Sequence, residues 1–386
     1  MSAAGRIAPP PRDGGLYLHV PFCASLCAYC HFHRTDRHDA DLRRRYAEAV
    51  LREFSLRAAA CGLLTGPAAR RAATCYVGGG TPSTLEPDLF AALLAGTWGR
   101  LRRRPGAEVT AEANPESFTP ELAAAWRDAG VNRVSLGIQS LDPAVLSRLG
   151  RAASPDDARA ALRLAATTFD RVSADWILAP GCRRERLRAE FAEARDLGVG
   201  HVSFYILERH AGTPLAEAVS TGRLRRPSDA ETESLYLAAR EDLAALGYEQ
   251  YEVSNFCLAG EESRHNAAYW RRAPYLGLGP GAHGFWGRRR YANHGDIERY
   301  LDALARERLP EADAEILGRC DRCLERIVLP LRTREGVPLA DLPAEPDWLA
   351  RGERDGLWRL DGRRLRLTGR GLLRIDDVEA ALARIL

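Results

Sequence analysis

Lysine is missing from this chain: all 55 basic residues are arginine. That excludes Schiff-base chemistry and a P-loop lysine, while the planar guanidinium suits bidentate binding of carboxylates. An excess of one charge is missing too, because 55 basic and 52 acidic residues leave a formal +3. The balance argues against nucleic acid or a membrane surface as the main partner, although a local basic patch is compatible with it. No apolar run reaches the ~20 residues of a membrane-spanning helix, and no secretory signal is present. The nine cysteines are an odd number, so a disulfide framework is not expected and a reducing cytoplasm is the expected compartment. At 386 residues the chain has room for one large α/β domain, alone or with a small second one.

What is present is concentrated in the stretch Tyr17-Leu-His-Val-Pro-Phe-Cys23-Ala-Ser-Leu-Cys27-Ala-Tyr-Cys30, which puts three thiols within eight residues at the end of an apolar strand. Thiolates hold iron–sulfur clusters, usually four to a cluster. Three at Cx3Cx2C spacing with no local fourth leave one iron open to an exchangeable ligand. Three structural or zinc-binding cysteines are the competing reading, but closed zinc sites pair two close couples. Cys320-Asp-Arg-Cys323 is a bare CxxC in a helical pattern with no second pair, and is read as structural.

Residues 1–15, with Pro9-Pro10-Pro11 and Gly14-Gly15, have little to bury and are expected to form a disordered leader. A strand at 16–21, the cysteine loop, and helical periodicity over 39–61 behind an Asp39 cap make one β-loop-α unit. The unit recurs, with strands at 73–77, 108–113, 133–138, 172–178 and 201–207 and helices at 86–95, 119–129, up to 168, and 183–197. Six such strands imply a parallel sheet with right-handed crossovers, whether open or closed into a barrel. Beyond it the pattern reads as a helix at 228–246, a strand at 248–255, a helix at 311–328, a hairpin over 357–367 around Asp361-Gly362, and a closing helix from 376. The expected organisation is a barrel over 16–250, a connector over 251–310, and a small α+β lobe of winged-helix type over 311–386.

The cysteine loop resembles that of the radical S-adenosylmethionine (SAM) superfamily, and further stretches match it. Gly78-Gly79-Gly80-Thr81-Pro82 follows the second strand, and Glu112 and Asn114 end the third in Thr-Ala-Glu-Ala-Asn-Pro. Gln139 ends the fourth in Ser-Leu-Gly-Ile-Gln-Ser, Arg151 stands in Leu-Gly-Arg, and Asp175 opens Asp-Trp-Ile-Leu-Ala-Pro-Gly. The resemblance implies a partial (β/α)6 barrel carrying a [4Fe-4S] cluster on Cys23, Cys27 and Cys30. It further implies SAM on the open iron, primed for reductive cleavage to a 5'-deoxyadenosyl radical, with contacts from Tyr17, Gly79, Gly80, Thr81, Glu112, Gln139, Arg151 and Asp175. Barrel ligands gather at the C-terminal ends of strands, and glycine permits close backbone approach there. One departure is Asp-Trp176-Ile-Leu-Ala179-Pro180-Gly, where relatives commonly have Asp-Leu-Ile-x-Gly-Leu-Pro-Gly. Asp175 therefore follows the pattern less closely than Glu112.

The stretch from Gly200 to Leu215 resembles the sixth strand and following loop of the HemN/HemW branch, with Ile206-Leu207-Glu208 where many HemW proteins have Gln-Leu-Thr. Arg264-His265-Asn266-Ala-Ala-Tyr269-Trp270, with the Gly-rich segment that runs to His283, matches the HemW family, whose HNxxYW element separates it from HemN. That resemblance implies haem binding, with His265, Asn266, Tyr269 and Trp270 as candidates, since imidazole is a common axial ligand and aromatic rings stack on a macrocycle. His265 and Tyr269 would share one helix face. Plain packing at the barrel bottom or a domain junction stays open for them, as do His19, His31, His33 and His283 as iron ligands. HemN enzymes continue the third cysteine as Cys-x-Cys, whereas this chain has Cys30-His31-Phe32 as HemW does. The implied function is a haem chaperone that passes haem to an acceptor protein. An oxygen-independent coproporphyrinogen III oxidase and a HemN-like radical methyltransferase using a second SAM are the rivals. Neither the acceptor nor the oligomeric state is legible in the chain.

Overall fold

The computed structural model describes residues 13–61, 71–343 and 346–385. The expected leader lies outside the described residues as far as residue 12, and Gly14 and Gly15 open the first strand instead. Their bare backbones allow the approach of Pro274 O and the His265 ring, to which a Cβ on Gly14 or Gly15 would come within 3.2 and 3.3 Å.

Six strands run parallel in chain order: β1 (Gly14–Val20), β2 (Ala72–Gly79), β3 (Arg103–Ala113), β4 (Arg133–Gln139), β5 (Arg171–Leu178) and β6 (His201–Ile206). Between them lie α1 (Ala40–Ala60), α2 (Pro87–Gly96), α3 (Pro120–Asp128), α4 (Pro143–Leu149), α5 (Pro155–Thr168) and α6 (Arg184–Asp196). This is the six-unit partial barrel. The helices start where side chains can replace missing backbone acceptors: Asp39, Thr119, Asp142 and Ser154 each accept from a first-turn N–H, and Ser154 forms a reciprocal box with Asp157. Strand side chains alternate. Leu16, Leu18, Cys75, Val77, Val134, Leu136 and Trp176 are buried in one core with Phe90, Trp126 and Phe191 of the helices, so the intervening residues face the barrel interior.

After α7 (Pro214–Ser220) and α8 (Asp229–Ala245), the strand expected at 248–255 is broken into β7 (Glu249–Gln250) and β8 (Asn255–Cys257), which pair antiparallel. The cause is a turn in which Glu252 accepts from Ser254 N at 3.2 Å. β8 closes onto β6. On the other side, α9 (Arg264–Trp270) leads into β9 (Tyr275–Leu278), which lies parallel beside β1 and extends through β10 (His283–Trp286), β11 (Arg289–Asn293) and, after α10 (Ile297–Ala305), β12 (Glu311–Ile316). The helix expected over 311–328 is thus a strand followed by α11 (Arg319–Leu331). Cross-strand pairing decides the matter: Glu315 stands opposite Arg290 with a 3.0 Å ion pair, and Gly318 separates strand from helix.

The C-terminal lobe adds β13 (Val337–Pro338), α12 (Pro346–Arg354), β14 (Trp358–Asp361), β15 (Arg364–Leu367), α13 (Gly369–Leu373) and α14 (Ile375–Ile385) around its own core of Ile327, Leu331, Trp358, Leu365 and Leu382. The expected hairpin is present, with Gly362 at φ +59°. Among the described residues no helix is long and apolar enough to cross a membrane.

Candidate functional site

The cysteine loop leaves β1 and is pinched at its base, where Thr35 N donates to Pro21 O at 2.7 Å and Cys23 N to Thr35 O at 3.0 Å. Its far side is tied to α4 by Ala28 N to Leu149 O. Cys23, Cys27 and Cys30 therefore line a cavity of about 410 Å3 at the C-terminal end of the sheet, together with Gly79, Gly80, Thr81, Glu112, Asn114, Gln139, Arg151 and Asp175. Thr81 Oγ1 donates to Cys23 Sγ at 3.5 Å, and Arg151 donates to Cys27 Sγ at 3.4 Å. Burial pushes the Cys23 and Cys30 thiols up; the Thr81 hydroxyl opposes it at Cys23, and Phe32 N–H and Arg34 oppose it at Cys30.

The glycine segment continues the β1–β2 pairing into the cavity, with Gly80 N bonded to Val20 O and Thr81 N to Phe22 O, both at 2.7 Å. Gly79 has φ +115°, and a Cβ there would lie 2.7 Å from the His19 ring, so only glycine fits without displacement. Glu112 accepts from the Tyr76 hydroxyl at 2.6 Å and from Gly79 N at 3.1 Å. Burial, aided by the charge of Asp175, pushes its carboxyl up to about 7 against those two hydrogen bonds. Asp175 is pushed up to about 6 by burial, against hydrogen bonds from Ser203 and Ser135. The unusual Trp176 beside it does not disturb this wall: it points the other way, into the helix layer, and donates to Glu190 at 2.9 Å. Arg151 is bracketed by Asn114 Oδ1 at 2.9 Å and Gly137 O at 2.8 Å. Gln139 ends β4 at φ +68°, a left-handed backbone uncommon for a side chain larger than glycine.

Tyr17, expected to contact SAM, is not among the residues that line this cavity but packs beside Tyr76, the partner of Glu112. The Tyr17 hydroxyl is 3.0 Å from His19 Nδ1, and the ring stacks on Tyr76 with centroids 6.3 Å apart.

The lining fits an anionic cluster and an amino-acid nucleoside. Arg34 Nε and Arg151 Nε are buried without a hydrogen-bond partner, leaving guanidinium donors for a carboxylate or sulfide, while Glu112 and Asp175 are acceptors for amine and hydroxyl groups. Among the described residues no three His, Cys, Asp or Glu side chains converge on a single ion position. Three thiols spread around a cavity suit a multi-iron cube better than a tetrahedral zinc. Cys320 and Cys323 are exposed on α11, far along the chain from this wall.

The HNxxYW residues sit elsewhere. His265 is 1% exposed and lies beside Gly15, at the N-terminal end of β1. Its Nδ1 is 2.8 Å from Thr74 Oγ1, its Nε2 is 2.8 Å from the Tyr269 hydroxyl, and its ring stacks on Tyr76. Burial pushes its basicity down to about 3. Both nitrogens are taken, so the expected haem ligand is instead part of the barrel floor. Tyr269 packs edge-on to Tyr275 in the same floor, Asn266 N is bonded to Ser263 Oγ, and Trp270 lines the junction with Pro330, Thr333 and Arg334 of the C-terminal lobe. Sequence reading missed Tyr76, Arg34, Ser135 and Tyr205. Strand alternation carries the signal for three of them: Tyr76, Ser135 and Tyr205 are each an even number of residues from an inward-facing polar position or strand-end glycine.

Residues 17–181 match the family model of the Radical SAM superfamily. With the cluster-spaced thiols at the end of β1, the match defines the class: this is a radical SAM domain followed by a further lobe. A protein named Heme chaperone HemW from Mycobacterium tuberculosis (strain CDC 1551 / Oshkosh) is 41% identical over 384 residues, 97% of this chain and 96% of the relative. Its namesake from Lactococcus lactis is 33% identical over 330 residues, 84% of this chain and 83% of the relative. The chain belongs to the HemW family. The solved structure of Escherichia coli coproporphyrinogen III oxidase (HemN) superposes with TM-score 0.80 over 98% of this chain and 92% of that one at 20% identity, a likeness of fold.

Proposed function

We propose that the protein is a haem chaperone that holds a [4Fe-4S] cluster on Cys23, Cys27 and Cys30 and SAM against Gly79, Gly80, Thr81, Glu112, Gln139, Arg151 and Asp175, binds haem, and passes it to an acceptor protein. When bound, the cluster and SAM supply one-electron reduction and radical chemistry. The chain's own residues set the environment: Arg151 and Thr81 hold the thiols, Glu112 and Asp175 offer acceptors, and the glycine segment brings backbone close. The observation that favours a chaperone over an oxidase is Phe32. It stands where HemN enzymes carry an additional thiol, and 59% of its surface is exposed at the cavity rim. Nine free thiols fit a reducing compartment, and we place the protein in the cytoplasm. The test is anaerobic reconstitution followed by haem titration and a porphyrinogen turnover assay. About one haem per chain without conversion of coproporphyrinogen III is expected. Robust formation of protoporphyrinogen IX with release of carbon dioxide would replace this reading with the oxidase, and failure to bind haem would favour the methyltransferase.

A further inference from the structure

Resting on the haem-chaperone reading, we propose that haem lies across the mouth of the cluster cavity, with His31 as its iron ligand. The other histidines are excluded by their surroundings. His265 and His201 are buried. His19 is 5% exposed, with its nitrogens bonded to the Tyr17 hydroxyl and His33 O, and His38 is held by Cys23 O and Arg43. His33, His283 and His294 do not line the cavity; His31 and His210 do, and His210 Nε2 is already paired with Glu208.

His31 is exposed, and among the described residues neither of its ring nitrogens has a hydrogen-bond partner. Its ring stacks face to face on His210 with centroids 3.4 Å apart, and His210 Nε2 is in turn held 3.2 Å from Glu208. The stack fixes the plane of the His31 ring while leaving both of its nitrogens open to a metal, and neutral imidazole is a common metal ligand. Around it the rim carries apolar surface: Phe32 and Tyr205, which line the cavity, are two of the five exposed large apolar side chains among the described residues. Patches of this kind on an otherwise charged surface mark binding sites, and aromatic rings suit a flat macrocycle.

A cavity of about 410 Å3 has the size for one small ligand and is filled by SAM in this reading, so the macrocycle belongs over it rather than in it. Guanidinium groups for the propionates are close by. Arg148, Arg183 and Arg209 line an adjoining crevice that shares Ile206 and Leu207 with the cavity, and arginine is suited to bidentate carboxylate binding.

The experiment is a haem titration of the full reconstituted chain, read by Soret position and affinity, for the wild type, His31→Ala, His283→Ala and Phe32→Ser. Iron content and circular dichroism check cluster and fold. His31→Ala should move the Soret band and weaken binding tenfold or more, with free imidazole restoring the band; His283→Ala should do neither. Phe32→Ser should weaken binding several-fold at an unmoved Soret position. Haem bound by His31→Ala as by the wild type, or a His283→Ala variant that shifts the band, overturns the placement while leaving the chaperone reading intact. Affinity unmoved in both His31→Ala and Phe32→Ser would also overturn it and assign the rim to a protein partner. A wild type that binds no haem removes both the chaperone reading and the placement.

Discussion

The Tyr76 hydroxyl donates to Glu112 Oε1 at 2.6 Å, and through this contact the floor of the barrel is joined to the wall of the cavity above it. Tyr76 also carries His265 on its ring, and His265 holds Tyr269, which packs on Tyr275. A continuous aromatic column thus runs from the end marked by HNxxYW to a carboxylate that faces the cluster cavity. Through this column the HNxxYW element is in contact with Tyr76, the residue whose hydroxyl is bonded to Glu112.

Glu112 makes the cofactor-free protein pH-sensitive. Its carboxyl rises from 4.5 to about 7 on folding because burial penalises the charge, so the folded chain binds the proton more tightly than the unfolded one. Stability contributed by this group is therefore full below about pH 4.5, falls as pH rises toward 7, and is lost above it. Asp175, raised to about 6, acts in the same direction. Glu112→Gln removes the charge while keeping the shape, with the Tyr76 hydroxyl able to turn and accept from the new amide. It should stabilise the cofactor-free protein by up to about 3 kcal/mol near pH 8 relative to the wild type, with the gain vanishing near pH 4.5. Urea unfolding of both proteins across that range is the check, and a difference independent of pH would contradict the assigned burial.

Iron content separates the cysteines. Reconstituted protein should carry about four irons per chain, and Cys23→Ala, Cys27→Ala and Cys30→Ala should each abolish this. Cys320→Ala should not, since that thiol is exposed on a helix of the C-terminal lobe. Iron lost only from Cys320 or Cys323 variants would move the metal site to the lobe.

SAM affinity should fall in Gly79→Val, because the new side chain meets the His19 ring and must adopt φ +115°. It should fall in Glu112→Ala as well, because the variant deletes the carboxylate at the cavity wall. Loss of a hydrogen bond to a charged partner costs about 1.5–3 kcal/mol, roughly tenfold or more in affinity. Equilibrium binding with the cluster's visible absorption retained would measure it; unchanged affinity in both variants would argue against this wall as the SAM site.

Much of this was legible in the chain because it is local. Cx3Cx2C follows β1, while the glycine triplet and Glu112 stand at the C-terminal ends of β2 and β3, and strand ends share one rim of a parallel barrel. The parts that were not legible depend on contacts distant in sequence. Nothing near 311–316 shows that Glu315 will meet Arg290, so a polar stretch reads as helix until the partner strand is in place. Likewise, His265 reads as a free imidazole until Thr74, 191 residues away, is seen to take its Nδ1.

The role of His265 can be decided by stability rather than spectrum. The ring is 1% exposed and bonded at both nitrogens, so His265→Ala would open a cavity and leave the Thr74 and Tyr269 hydroxyls buried without that partner. Each unsatisfied buried group costs about 1–3 kcal/mol, and a large-to-small core substitution adds to this, so a loss of roughly 3 kcal/mol is expected in urea unfolding. His265→Gln, which keeps a side-chain donor and acceptor of similar reach, should recover part of it. In whatever folded His265→Ala protein remains at low temperature, the Soret position of bound haem should match that of the wild type, because the ring lies at the opposite end of β1 from the cysteine loop. A variant of wild-type stability whose haem band is displaced would return His265 to the iron and take the floor assignment with it.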